Sequence, residues 1–137
     1  MPTLAGIKET CLSVADLERS EAFYRTVLEL PVIAGDSRFR AFNVADAHVL
    51  LLFLAGHTSS PVELPGGTIP PHGASGESHV AFAIAASALE DWKSHLEHCG
   101  VEIESVVTWP RGATSLYFRD PDRHLLELVT PGIWSIY

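Results

Sequence analysis

Ser115-Leu-Tyr-Phe-Arg-Asp-Pro-Asp-Arg-His-Leu-Leu-Glu-Leu-Val129 reads as strand, turn, strand. Ser115 to Phe118 carries aromatic residues that favour a pleated surface. Asp120-Pro121-Asp122-Arg123 supplies the turn, because Pro presets φ and the Asp side chains bond nearby backbone N–H groups. Leu125 to Val129 returns as an apolar run with one acid inside it, Glu127. A carboxylate between Leu126 and Leu128 is costly if it stays ionised, buried and unpaired, so it calls for a cation, a hydrogen-bond network or water.

Upstream of this hairpin, His79 to Ile84 reads as a strand. Ser87 and Glu90 form a capping-box pattern ahead of a helix with Leu89, Trp92, Leu96 and Cys99 on one face. Gly100 suits the position after the helix end. Val101 to Trp109 follows as a strand, and Pro110-Arg111-Gly112 as a turn. In the first half, Gly6 to Val14 reads as a strand with Thr10, Leu12 and Val14 toward the core and Ile7, Glu9, Cys11 and Ser13 on the other face. Asp16 caps a helix running to about Leu30, which Pro31 stops. A short strand at Pro31 to Ala34, a strand at Arg40 to Val44, a turn at Asp46-Ala47 and a strand at His48 to Leu54 complete that half. Phe39, Phe42, Phe53 and Trp92 read as core residues. Ala55 to Gly76 has no usable period and reads as a long loop, a kind of segment that is commonly functional. It carries His57 and His72, the latter flanked by Pro70-Pro71 and suited to a pocket rim.

The chain has 137 residues, 47% apolar and 19% charged, which describes one globular domain. Its net charge of −8 disfavours nucleic acid and anionic membranes as partners and suits a cation or a metal. Cys11 and Cys99 lack zinc or redox spacing and read as buried reduced thiols. The sequence shows neither a signal-peptide pattern nor a run of about 20 apolar residues, so the expectation is a soluble, cytoplasmic protein.

The order strand, helix, strands occurs twice. HVLLLFLAG from His48 lies over HLLELVTPG from His124, and KETCLSVADLE lies over SHVAFAIAASALE with Glu9 set on His79. The repeat relates Glu9 to His79 and Leu51 to Glu127. Unit one spans about residues 5–56, a linker 57–76, and unit two about 77–132. The expected fold is α+β: two βαβββ units forming curved mixed sheets around a cleft.

This layout resembles the vicinal oxygen chelate superfamily, which includes glyoxalase I, bleomycin resistance proteins, fosfomycin resistance enzymes and extradiol (dihydroxybiphenyl) dioxygenases. VADLERSEAFYRTVLEL (14–30), HVAFAI (79–84) and SLYFRDPDRHLLELVTPG (115–132) carry the resemblance across almost the whole chain. It implies two units, from one chain or exchanged between two, closing around a divalent metal, commonly in a homodimer. His79 and Glu127 match ligand positions directly. Glu9 stands where many members carry His, and Leu51 where glyoxalase I has a carboxylate ligand. The implied metal ligands are Glu9, His79 and Glu127, with Glu9 also a candidate catalytic base.

One His and two carboxylates suit Mn²⁺, Mg²⁺, Fe²⁺ or Co²⁺, with Zn²⁺ and Ni²⁺ open. Trp109, Arg111, Ser115, Tyr117 and His72 are the candidate substrate-binding residues. Ser115 and Tyr117 match pocket residues of the fosfomycin enzymes, whereas Val107 and Ile136 fall where those enzymes carry phosphonate-binding cations. The expected function is metal-dependent chemistry of lyase, isomerase or dioxygenase type on a small substrate with adjacent oxygens. The alternatives are a metal-free protein that sequesters a cationic or aromatic compound and a fosfomycin-type thiol transferase.

Overall fold

The computed structural model describes residues 1–137 as two compact units, Met1–Gly76 and Glu77–Tyr137. Unit 1 contains β1 (Glu9–Val14), α1 (Leu17–Val27), β2 (Val32–Gly35), β3 (Phe39–Val44), β4 (His48–Leu54), β5 (Val62–Leu64) and β6 (Gly67–Ile69). Unit 2 contains β7 (His79–Ala83), a 3₁₀ turn (Ala86–Ala88), α2 (Leu89–His98), β8 (Ser105–Thr108), β9 (Thr114–Arg119) and β10 (Leu125–Val129). Each unit builds a four-stranded mixed sheet, ordered β1-β4-β3-β2 in the first and β7-β10-β9-β8 in the second. In these sheets β1 pairs parallel with β4 and β7 parallel with β10, and the other pairings are antiparallel.

The repeat holds at single-residue register. Glu9 opens β1 opposite Val49, and Cys11 sits opposite Leu51. His79 opens β7 opposite Leu125, and Ala81 sits opposite Glu127. Leu51 and Glu127 are therefore equivalent positions, as are Glu9 and His79.

Alternation of side chains decides which face is core. Leu12 and Val14 of β1 and Leu50 and Leu52 of β4 are buried against Tyr24 and Val27 of α1 and Phe42 of β3 in the apolar interior of unit 1. Leu116 and Phe118 of β9, Leu126 and Leu128 of β10 and Leu96 of α2 are the corresponding buried residues of unit 2. Glu9, Cys11, Leu51 and Phe53 lie on the opposite face of the first sheet.

Local chemistry explains most element ends. Asp16 caps α1, its carboxylate accepting from the Arg19 N–H at 3.0 Å. The helix stops at Val27, short of the expected Leu30, because Glu29 turns to a positive φ of 53° ahead of Pro31. The Ser87–Glu90 capping box does not form. Ala88 caps α2 without a side-chain bond, since the preceding residues wind into the 3₁₀ turn. At the other end Gly100 takes φ 69°. Its N–H donates to the Glu97 carbonyl, and that of Val101 to the Leu96 carbonyl, a Schellman closure.

In the 120–123 turn, Asp120 Oδ1 accepts from the N–H groups of Asp122 (3.0 Å) and His124 (2.8 Å). The stretch expected as a long loop instead contains the β5–β6 hairpin, turned at Pro65-Gly66. Strands of three residues are too short to show a period in sequence. No helix is long and apolar enough to cross a membrane.

Leu126→Ala removes a fully buried side chain and should cost about 2–5 kcal/mol of unfolding free energy. Gly100→Ala meets open space and should cost only the left-handed backbone penalty, about 1–2 kcal/mol. Urea denaturation of both variants checks the contrast.

Candidate functional site

Two clusters of polar and titratable groups stand out, one in each unit. In unit 2, parallel pairing of β7 with β10 sets the His79 ring beside Glu127. His79 Nδ1 lies 2.8 Å from the Leu125 carbonyl. A carbonyl only accepts, so Nδ1 carries the proton. Nε2 faces Glu127 Oε2 at 3.1 Å. With Nδ1 protonated, a neutral imidazole turns a lone pair toward a carboxylate, and two such acceptors need a cation between them, either a proton on Nε2 or a metal ion. The Glu127 side chain is 4% exposed, while that of His79 is 47% exposed. The carboxylate is fixed from within and the imidazole opens outward.

A second chain of bonds holds Glu127 from behind. The Ser115 hydroxyl donates to Glu127 Oε1. The Trp109 indole N–H in turn donates to Ser115 Oγ at 2.8 Å. Ser115 is completely buried and its one proton goes to Glu127, so it has none to offer a substrate. Its part, with Trp109 behind it, is to orient the carboxylate. Tyr117 packs its ring 6.2 Å from that of His79. Burial first, and then the Glu127 carboxylate, push the Tyr117 phenol above its ordinary value, although a Ser115 hydrogen bond works the other way. Tyr117 thus stays a protonated donor at neutral pH.

Arg111 stands exposed in the β8–β9 turn, outside this network. Its carbonyl lies 2.9 Å from where a Cβ on Gly132 would sit, so the tail after β10 approaches that turn on a glycine at φ 110°. Val107 is half-buried in β8, and Ile136 is 94% exposed.

Unit 1 holds a cavity of about 560 Å³ on the sheet face away from its core. Glu9, Cys11, Leu51, Phe53 and Phe39 form one wall, and residues of the 57–72 segment form the other. His72 meets Phe53 edge-on, with ring centroids 5.1 Å apart. Phe39 and Phe53, expected in the core, line this cavity instead, because alternation along β3 and β4 turns them away from Phe42 and Leu52. His57 also lines it. An apolar residue on each face of β4 was the sequence signal that could have found the cavity. Cys11 is a free thiol but is exposed rather than buried. The packing around its sulfur and then the Glu9 carboxylate push it above its ordinary value, so it stays a neutral thiol.

Of the three residues expected as metal ligands, His79 and Glu127 come together and Glu9 belongs to the unit 1 cavity wall. No group of three or more His, Cys, Asp or Glu side chains is gathered to hold a metal ion. The donor set of unit 2 nonetheless fits one: an imidazole nitrogen with its proton on the far side and a buried, oriented carboxylate.

A repeated βαβββ unit, with a His–Glu pair on the first and last strands of its second copy, defines a protein of the glyoxalase-like class. The chain belongs to the glyoxalase/bleomycin resistance protein/dioxygenase superfamily, whose family model matches residues 6–128. Among solved structures it is similar to lactoylglutathione lyase from Agrobacterium tumefaciens, at 31% identity and a TM-score of 0.87, covering 98% of this chain and 99% of that one. Among curated proteins it is 28% identical to the metallothiol transferase FosB of Shouchella clausii, over 91% of this chain and 80% of that protein. It is 29% identical to the glutathione transferase FosA of Serratia marcescens, over the same shares.

The phenol of Tyr117 should ionise above the ordinary tyrosine value of about 10, and Glu127→Gln should bring it part of the way back. Its stabilising contribution is present below the ordinary value and is lost as pH rises through the raised one. Ultraviolet titration of wild type, Tyr117→Phe and Glu127→Gln measures this. Ser115→Ala should cost about 1–3 kcal/mol in urea unfolding, because it strips a buried carboxylate of a partner.

Proposed function

We propose that the protein is a divalent-metal-dependent enzyme of lyase or isomerase type acting on a small substrate with adjacent oxygens. The observation that supports this reading is the His79–Glu127 pair, an imidazole lone pair and a carboxylate turned toward each other with their outer atoms already bonded. Glu9, the repeat partner of His79, is the third ligand or the base. The metal is Mn, Fe, Co, Ni or Zn, with oxygen-rich ligation favouring the first three. A bound ion would supply Lewis-acid polarisation of the two substrate oxygens.

The protein's own groups do the rest. The Leu125 carbonyl keeps the His79 proton on Nδ1, which leaves Nε2 to ligate. Ser115 and Trp109 fix the plane of the Glu127 carboxylate. Tyr117 donates a hydrogen bond from its protonated phenol to a substrate oxygen. Glu9 accepts a proton from the carbon beside a polarised oxygen, the step that isomerases and lyases of this kind require. His72 at the rim and Arg111 on the turn are the remaining candidates for contact with the substrate. A homodimer in the cytoplasm belongs to the same reading.

Dioxygenase chemistry would draw on the same ligands if the metal is iron. Thiol transfer is a second reading, favoured by the similarity to FosB and FosA over most of the chain. Val107 and Ile136, standing where a phosphonate would need cations, weigh against fosfomycin as its substrate.

Elemental analysis of protein purified without chelator should find close to one metal per chain, lost in His79→Ala. Trp109→Phe should keep the fold and lower the affinity for Mn²⁺ or Co²⁺ by about tenfold or more, measured by calorimetry, because the indole orients Glu127 through Ser115. A wild type that holds no metal after reconstitution with Mn²⁺, Fe²⁺, Ni²⁺ and Zn²⁺ would sink this reading.

A further inference from the structure

We infer that the unit 1 cavity is a binding pocket for an uncharged compound with an aromatic or branched apolar body, oriented with a hydrogen-bond donor toward Glu9. The inference deepens the proposed function and rests on its premise that the ligand is a small molecule, but not on the metal.

The argument begins with β4. His48 to Leu54 is apolar on both faces, although only Leu50 and Leu52 enter the core. A sheet with one face in water alternates apolar with polar. Leu51 and Phe53 break that pattern, so their face is built to meet something apolar. The equivalent strand of unit 2 has Glu127 where unit 1 has Leu51. The repeat has thus kept an acid on one sheet and an apolar wall on the other.

The β5–β6 hairpin supplies the opposite wall. Val62, Leu64 and Ile69 line the cavity, with Leu64 and Ile69 49% and 48% exposed. A hairpin of three-residue strands has little stability by itself. Apolar side chains on such an element have no core to enter, and a ligand in the cavity would cover them.

Volume and charge narrow the class. A space of about 560 Å³ lies within the range of pockets that enclose drug-sized molecules. A three-carbon phosphonate would leave much of it to water. The one guanidinium on the wall, Arg38, is paired with Asp36 at 3.1 Å. His57 bonds the Ala55 carbonyl through Nδ1, and His72 lies edge-on to Phe53. Glu9 adds negative charge, which disfavours anions and accepts from a hydroxyl. The apolar walls, which penalise burial of a charged body, and the Glu9 carboxylate therefore favour a neutral, donor-bearing apolar molecule.

Two probes share one body and differ in charge: 1-naphthol and 1-naphthalenesulfonate. Calorimetry on full-length protein treated with chelator should show saturable binding of 1-naphthol and at least tenfold weaker binding of the sulfonate. Leu51→Asp should weaken 1-naphthol at least tenfold and Phe53→Ala severalfold. Leu51→Gln serves in place of Leu51→Asp if circular dichroism finds the latter unfolded. No binding of 1-naphthol, equal binding of the two probes, or binding that survives the Leu51 and Phe53 changes would overturn the inference. So would a dimer that Leu51→Asp dissociates without any 1-naphthol binding, which would give the face to a second copy. A failed metal analysis with these binding results intact would sink the metal reading alone.

Discussion

A buried carboxylate flanked in sequence by core leucines is the constraint on which unit 2 depends. Glu127 lies between Leu126 and Leu128 on β10 and is almost wholly buried. Ser115 donates to one of its oxygens and His79 faces the other. Neither partner is available without the sheet. β9 must pair antiparallel with β10 for Ser115 to come near, and β7 must pair parallel for His79 to do so. The turn at Asp120–Arg123 sets the first register. The backbone bond from Leu125 N–H to the Ser78 carbonyl sets the second. A slip of one residue in either ladder would turn Glu127 into the core or its partners away from it.

The same topology in unit 1 is used differently. There the equivalent strands place Glu9 at the edge of a cavity and Leu51 on its wall. Duplication supplied two identical frames, and side-chain choice made one polar and one apolar. The Trp109 indole N–H donates to Ser115 Oγ, which puts it second in the chain of bonds behind the carboxylate.

The hairpin 115–129, both helices and the repeat were legible in the sequence because each has a local signal: turn residues, a helical stripe or internal similarity. His79 and Glu127 could be nominated together through the repeat. The β5–β6 hairpin was not legible, since its strands are shorter than any period can register. The Ser87–Glu90 pattern misled, because a 3₁₀ turn occupies the place where the cap would act. Hydrophobicity alone assigns Phe39 and Phe53 to the core, since it does not tell a wall from an interior.

The sequence by itself determined the class of fold, the strand that buries an acid and the positions the repeat makes equivalent. These follow from periodicity and turn chemistry, which act over a few residues. Only the tertiary structure decided that Ser115 spends its proton on Glu127, that Leu125 fixes the His79 tautomer, and that the apolar face of β4 closes a cavity under a short hairpin. Those outcomes depend on groups far apart in the chain meeting within hydrogen-bond or van der Waals distance, which sheet register sets and a linear pattern does not.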